Sequence, residues 1–358
     1  MIDLEHILVL PAHTIHMVMA AIDRGAKGIA LVVDEERRLL GTVTDGDIRR
    51  LILGGGSLDA PVSELLARKA GSLYPRPITA RPDASPDELL QTMREHKVRQ
   101  LPVVDGDGHV VDLVTIEDLL PEQTLPLQAV IMAGGFGTRL RPITEELPKP
   151  MLPIGDRPLM ELIIEQLRQA GIRRANIMTH YLAEKITSYF GDGRAFGVEI
   201  NYVTEEHPLG TAGALSLMEA PQEPILVING DILTRVDFRA MLAYHREQGA
   251  DLTVGVRQYD VRVPYGVVEC EGPRVSRLRE KPKLSFLVNA GIYLLEPAVH
   301  QYIPQGQRFD MTDLIEKLLD ERRKVVAFPI VEYWMDIGQL EDYEKAQEDV
   351  RAGRLTLR

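Results

Sequence analysis

Ala129-Val-Ile-Met-Ala-Gly-Gly-Phe-Gly-Thr-Arg-Leu-Arg-Pro-Ile-Thr144 begins as an apolar strand and breaks into a turn containing Gly134, Gly135 and Gly137. Glycine lets backbone N–H groups approach a phosphate with no Cβ in the way. Arg139 and Arg141 follow, and then Lys149 in Lys149-Pro-Met-Leu-Pro153. In a chain of formal net charge −12, three cations close to one glycine turn point to a locally held anion. Neither Gly-x-x-x-x-Gly-Lys-Ser/Thr nor Gly-x-Gly-x-x-Gly is present, which disfavours a Walker loop and a dinucleotide fold.

Outward from this turn, β-rich apolar runs alternate with helical patterns. Strands are expected over 128–133, 175–179, 199–203, 225–228 and 252–256, and helices over 159–170, 183–190, 212–218 and 238–248. A further helix is expected over 341–350. Such alternation predicts an α/β domain with a mostly parallel sheet covered by helices on both faces. Sheets of this kind bind ligands at the carboxyl ends of their strands.

Polar motifs fall at those ends. Glu205 stands five residues before Gly210 in Pro208-Leu-Gly-Thr-Ala-Gly-Ala214. Its carboxylate offers acceptors and no donor, which matches the adjacent N1–H and N2 donors of guanine. A solvated surface glutamate is the alternative. Ile225-Leu-Val-Ile-Asn-Gly-Asp231 is an apolar strand ending in an acid, and a second acid lies in Glu332-Tyr-Trp-Met-Asp-Ile-Gly338. Each acid alone suits a turn; together they suit a hard cation such as Mg²⁺, held by one or two carboxylates plus substrate phosphates. Arg279-Glu-Lys-Pro282 and Val288-Asn-Ala-Gly-Ile-Tyr293 complete the set, and Trp334 is expected to pack behind Asp336.

In this order, the motifs from 128 to 349 resemble those of the sugar-1-phosphate nucleotidyltransferases, a family that includes mannose-1-phosphate guanylyltransferases and glucose-1-phosphate thymidylyltransferases. The resemblance implies a Rossmann-like mixed sheet and transfer of a nucleotidyl group from a nucleoside triphosphate to a sugar 1-phosphate. It places the triphosphate on Gly134, Gly135, Gly137 and Thr138, with Arg139 at the pyrophosphate and Lys149 near the α-phosphate. Glu205 and Gly210 are implied at the base, and Asp231 and Asp336 as Mg²⁺ ligands. Lys281 is implied at the sugar phosphate, with Gly266, Glu280 and Asn289 beside the sugar. Guanylyl members tend to carry Glu where Glu205 stands, and thymidylyl and uridylyl members Gln, so GTP is the expected nucleotide. Gln339-Leu340 stands where the family often has Thr-Pro, which changes a turn and leaves the implied ligands intact. A non-catalytic regulatory subunit is the rival; retention of Lys149, Asp231 and Asp336 argues against it.

The N-terminal third carries an internal repeat. Ile29-Ala-Leu-Val-Val-Asp34 leads to Leu39-Leu-Gly-Thr-Val-Thr-Asp-Gly-Asp-Ile48, and Leu101-Pro-Val-Val-Asp105 leads to His109-Val-Val-Asp-Leu-Val-Thr-Ile-Glu-Asp-Leu119. Helical patterns over 13–24 and 86–96 precede the copies. Each copy ends in Thr-x-x-Asp: Thr44 with Asp47, and Thr115 with Asp118. Such a pair can cap a helix or meet a ribose and its phosphate. Residues 1–120 resemble a tandem pair of CBS domains (α+β), which implies AMP or ATP contacts at Thr44, Asp47, Thr115 and Asp118, and often dimerisation. Pro121-Glu-Gln-Thr-Leu-Pro126 reads as a stiff linker, giving 1–120, 121–127 and 128–358 as the expected parts. This domain order resembles glucosamine-1-phosphate guanylyltransferases of legionaminic acid synthesis, so glucosamine or mannose 1-phosphate is the expected sugar.

Composition narrows the rest. The acidic balance disfavours nucleic acid as a partner. Cys270 is the single cysteine, so intrachain disulfides and thiolate metal clusters are excluded; it reads as an ordinary strand residue. The early apolar stretch 7–22 contains Pro11, His13 and His16 and fits neither a signal peptide nor a membrane span. A cytoplasmic homodimer or higher homo-oligomer is the expectation.

Overall fold

The computed structural model describes residues 4–69, 71, 75–119 and 124–354. The N-terminal region runs β1 (Leu8–Val9), α1 (Ile15–Gly25), β2 (Ile29–Val33), β3 (Leu39–Thr44), α2 (Asp45–Leu53), α3 (Val62–Lys69), α4 (Pro86–His96), β4 (Gln100–Val104), β5 (Val110–Thr115) and α5 (Ile116–Leu119). Local chemistry sets these boundaries. Ser85 and Glu88 form a reciprocal capping box before α4, Pro86 supplies its first turn, and Lys97 closes it in the left-handed region at φ 52°. The repeat is visible as register: β2 pairs antiparallel with β3 from Ile29 opposite Thr44, and β4 with β5 from Gln100 opposite Thr115. β1 runs parallel to β2, and Ala80 bridges Val103 in parallel at the equivalent place. An Arg38–His109 bridge joins the copies, and Ile7, Ile29, Leu31, Val33, Val110 and Leu113 share one apolar cluster.

The second region runs β6 (Gln128–Met132), β7 (Pro153–Ile154), β8 (Arg157–Pro158), α6 (Leu159–Gln169), β9 (Arg174–Thr179), α7 (Ala183–Phe190), β10 (Glu199–Thr204), α8 (Gly210–Gly213), β11 (Ile225–Asn229), β12 (Ile232–Thr234), α9 (Phe238–Gln248), β13 (Leu252–Arg262), β14 (Val267–Glu271), β15 (Arg274–Arg279), β16 (Lys283–Leu295), α10 (Met311–Asp320), β17 (Val325–Pro329), β18 (Trp334–Asp336) and α11 (Leu340–Arg351). Seven strands form one sheet in the order β10-β9-β6-β11-β16-β13-β17. β16 runs antiparallel to both neighbours, so the sheet is mixed, with a parallel half from β10 to β11. Apolar clusters fill both faces, one around Ile131, Ile164 and Phe238 and another around Val130, Leu215 and Leu314. In α9, Phe238, Met241, Leu242 and His245 are buried at helical spacing, Asp237 caps the start, and Gly249 ends it at φ 55°.

Two expectations change. The strand expected over 252–256 continues to Arg262, and with β16 it projects an arm that carries the β14–β15 hairpin. The helix expected over 212–218 is α8 followed by a 3-10 turn at Ala214–Leu217. Of the linker, 121–123 lie outside the described residues; beyond them Leu125 is pinned by its N–H to the Gly171 carbonyl at 2.8 Å. The regions also touch directly: α2 packs on β17, and Val331 lies in the apolar cluster of the first repeat. Among the described residues, no helix is long and apolar enough to cross a membrane.

Candidate active site

The site forms where β6 and β11 end side by side. Gly230 donates to the Met132 carbonyl at 2.9 Å. A Cβ at Gly230 would stand 2.8 Å from that oxygen, so glycine is required for the two strand ends to meet. Asp231 follows directly. Its partner acid arrives from far along the chain because β12 pairs antiparallel with β18, with Ile232 opposite Asp336. The Ile337 N–H closes the junction on the Asp231 carbonyl at 3.0 Å.

Asp231 and Asp336 are therefore brought together as expected. Partial desolvation, and then the Asp231 carboxylate, push the Asp336 pKa above its ordinary value, while Lys149 and Arg139 pull it down. Lys149 is buried and forms an ion pair with Asp231 Oδ2, leaving Asp231 Oδ1 buried without a partner. Two facing carboxylates, one with an unsatisfied buried oxygen, fit a hard divalent cation whose other ligands come from phosphates and water. No cluster of three or more metal-ligating side chains occurs among the described residues.

The glycine turn lies against this pair. Gly137 has φ 63°, its carbonyl accepts from Thr144 Oγ1 at 2.8 Å, and a Cβ there would press on Thr144 and on Lys149 Cβ. Arg139 is exposed and reaches toward Gly338, the second residue after Asp336. Gly134 sits against Glu205, and Gly135 and Thr138 are open to solvent.

Glu205 is not a solvated surface residue: it is 6% exposed. Oε2 accepts the Leu209 N–H at 2.8 Å, and the residue's own carbonyl accepts from His180 Nδ1 at 2.8 Å. Burial raises its pKa. One carboxylate oxygen is thus engaged by its own loop, which leaves Oε1 as the freer acceptor. Gly210, at φ 79°, packs against Phe309 and Asp310, and the N–H groups of Ala212 and Gly213 donate to the Phe309 carbonyl. Packing alone thus requires Gly210.

On the arm, Gly266 and Glu280 face each other: a Cβ at Gly266 would lie 3.1 Å from Glu280 Oε2. Asn289 Oδ1 accepts the Gly291 N–H at 3.0 Å. Lys281 is exposed and adopts φ 42°, a strained value for lysine. Trp334 packs on the main core and donates from Nε1 to the Ala290 carbonyl at 2.9 Å. Cys270 is an exposed residue of β14.

In the N-terminal pair, Thr44 and Asp47 form a capping box on α2, and Asp47 pairs with Lys69 at 2.6 Å and Arg50 at 2.7 Å. Thr115 donates from N and Oγ1 to Asp118, which Lys27 meets at 2.9 Å. The two motifs are therefore geometric equivalents, each acid already engaged by a lysine from another segment.

Asn229 was not singled out from sequence. Its Oδ1 is buried without a partner beside Asp231, and Gly291 at φ 69° is shaped around its side chain. Its place between an apolar strand and Gly230 was the available signal.

Comparison with known proteins shows the family. The family model for nucleotidyl transferase matches residues 128–353, and the CBS domain model matches residues 5–54 and 70–123. A UTP–glucose-1-phosphate uridylyltransferase of Synechocystis sp. is 38% identical over 241 residues, covering 62% of this chain and 62% of that protein. A mannose-1-phosphate guanylyltransferase of Mycobacterium tuberculosis is 36% identical, covering 64% of this chain and 66% of that protein. The chain thus spans a little under two thirds of these two relatives. A D-glycero-alpha-D-manno-heptose 1-phosphate guanylyltransferase of Aneurinibacillus thermoaerophilus is 36% identical, over 63% of this chain and 99% of that protein. Among solved structures, a Bacillus anthracis protein assigned as a glucose-1-phosphate thymidylyltransferase aligns with a TM-score of 0.52 at 27% identity, over 63% of this chain and 95% of that one. The chain therefore belongs to the nucleotidyl transferase family, with CBS domains preceding the nucleotidyl transferase region.

Proposed function

We propose that this chain transfers a nucleotidyl group, from GTP in preference, to a sugar 1-phosphate and releases pyrophosphate. The observation that carries it is the convergence of the glycine turn, Lys149, Arg139, Asp231 and Asp336 at the ends of β6 and β11. A phosphate oxygen of the sugar 1-phosphate attacks the α-phosphorus. The new P–O bond forms as the bond to the β-phosphate breaks, and pyrophosphate leaves with the electron pair. The attacking phosphate is already anionic at pH 7, so positioning and charge neutralisation suffice. Asp231 and Asp336 would hold Mg²⁺, which when bound supplies Lewis-acid neutralisation of phosphate charge. Lys149, oriented by Asp231, faces the α-phosphate, and Arg139 takes the pyrophosphate. Lys281 meets the sugar phosphate, with Gly266, Glu280 and Asn289 along the sugar.

Glu205 supports the guanine preference, because ionised it presents an acceptor through Oε1 to the N1–H and N2 donors. The mannose and heptose guanylyltransferases among the relatives point the same way. Uridylyl transfer is the second reading, favoured by the 38% identical Synechocystis protein. Mannose or glucosamine 1-phosphate is the proposed acceptor, and adenine nucleotide at Thr44, Asp47, Thr115 and Asp118 the proposed effector.

The test is pyrophosphate release with GTP, dTTP, UTP, CTP and ATP, each against a panel of sugar 1-phosphates, for wild type and Glu205→Gln. Wild type is expected to favour GTP, and Glu205→Gln to lower the GTP-over-UTP preference by about 10-fold or more. Wild-type preference for UTP or dTTP keeps the reaction and overturns the base assignment.

A further inference from the structure

β18 delivers Asp336 to the site, and the segment 329–333 that leads into β18 is gripped by the N-terminal region. Arg49 of α2 is 4% exposed. Its Nε donates to the Pro329 carbonyl at 3.0 Å, its Nη2 to Glu332 Oε1 at 2.7 Å, and its guanidinium lies 4.2 Å from the Phe328 ring centre. Glu332 is itself buried; Oε1 also accepts the Asp237 N–H at 3.2 Å, and Oε2 the Val331 N–H at 3.0 Å. The Val331 side chain joins the first repeat's apolar cluster, and the Tyr333 N–H donates to Asp23 of α1 at 3.3 Å. Arg257 holds the other side through the Ile330 and Glu332 carbonyls at 2.8 and 2.9 Å. The Tyr333 carbonyl then accepts from Arg235 N–H and Thr234 Oγ1, and β18 begins.

The segment is therefore held residue by residue up to the strand that carries Asp336. The grip needs a planar group that donates in two directions and stacks on an aromatic face at once, which arginine provides and lysine does not. Resting on the assignment of Asp231 and Asp336 as the metal pair, we propose that Arg49 is a positioning residue for the transfer site, fixing segment 329–333 through Pro329 and Glu332 and so setting where β18 presents Asp336. The helix that holds Arg49 is capped by Thr44 and carries Asp47 in its first turn.

A purely architectural contact would cost stability and leave the metal site unaltered. Trp334, the only tryptophan in the chain, separates the two cases, since it lies on β18 two residues before Asp336. The test uses full-length Arg49→Lys, Arg49→Met and Glu332→Gln, following Trp334 emission, Mn²⁺ affinity by electron paramagnetic resonance without nucleotide, and turnover. Each variant is expected to shift Trp334 emission and weaken Mn²⁺ binding by about 10-fold. kcat is expected to fall while KM for GTP stays within about two-fold. Folded Arg49→Lys with unchanged emission, Mn²⁺ affinity and kcat overturns the proposal, whatever its thermal stability. Should Arg49→Met fail to fold, the charge-removing Arg49→Met with Glu332→Gln carries the same readouts. Wild type that binds Mn²⁺ no better than Asp231→Asn discards the metal pair itself, and this proposal with it, before any Arg49 variant is compared.

Discussion

A Cβ placed on Gly134 would stand 2.6 Å from Glu205 Oε1, so the first glycine of the turn leaves the space that the buried Glu205 carboxylate fills. The opposing atom is the end of a side chain, and the carboxylate can turn away where backbone could not. Gly134→Ala is therefore expected to displace Glu205 before it disturbs the fold. The GTP preference should fall by about 10-fold, as for loss of one base-reading contact. Turnover across the nucleotide panel, with the thermal midpoint measured alongside, checks this. Unchanged preference would show that Oε1 does not read the base.

Asp45 sits beside Arg49 at the contact between the regions, with Oδ1 buried and unpartnered. Burial, and then Glu332, raise its pKa from 3.8 to about 7. The folded state thus keeps a proton that the unfolded chain releases near pH 4. That contribution to stability is fully present below about pH 4 and is lost as pH rises to about 7. Asp45→Asn is neutral throughout, so it is expected to stabilise the fold on the order of 1–3 kcal/mol at pH 8 and hardly at all at pH 4. Chemical denaturation at the two pH values measures it.

Asp47 lies in the α2 capping box and meets Lys69 and Arg50, which hold its pKa down despite burial. Asp47→Ala is expected to cost about 1–2 kcal/mol as a lost cap and ion pair. If the acid also meets ribose, Asp47→Asn should weaken adenine-nucleotide binding to the full chain, read by calorimetry, by about 10-fold. Equal heats from wild type and Asp47→Asn would leave Asp47 with the cap and its ion pairs to Lys69 and Arg50 alone.

Helices with their own punctuation were legible in the sequence. The expected bounds 86–96, 183–190 and 238–248 are those of α4, α7 and α9. For α4 and α9, Ser85 and Asp237 supply the start, and for α7 and α9, Gly191 and Gly249 the stop. Of the arm, only the strand around Cys270 was legible, and it is part of β14; the rest was not, because β14 and β15 expose nearly every residue and no buried face imposes a period of two. The same holds for the outer half of β13, which lies beyond the core. Of the paired acids, Asp231 was legible as the end of an apolar strand and Asp336 as the acid of a separate motif over 332–338. Their setting was not: Arg49 and Glu332 are 283 residues apart, and neither lies in a local pattern that calls for the other. Asn229 passed unnoticed because its meaning depends on Gly291, which reaches it only through the β11–β16 pairing.

The central claim is that Asp231, paired with Lys149 and set beside Asp336, serves phosphoryl chemistry and not a turn. The most direct measurement is Mg²⁺-dependent pyrophosphate release from GTP and sugar 1-phosphates by wild type and Asp231→Asn, with thermal midpoints recorded for both. Wild type is expected to turn over, and Asp231→Asn to fold normally while losing about 10²- to 10³-fold in kcat. Equal turnover by a folded Asp231→Asn protein, or none by folded wild type with any pair, would contradict the account.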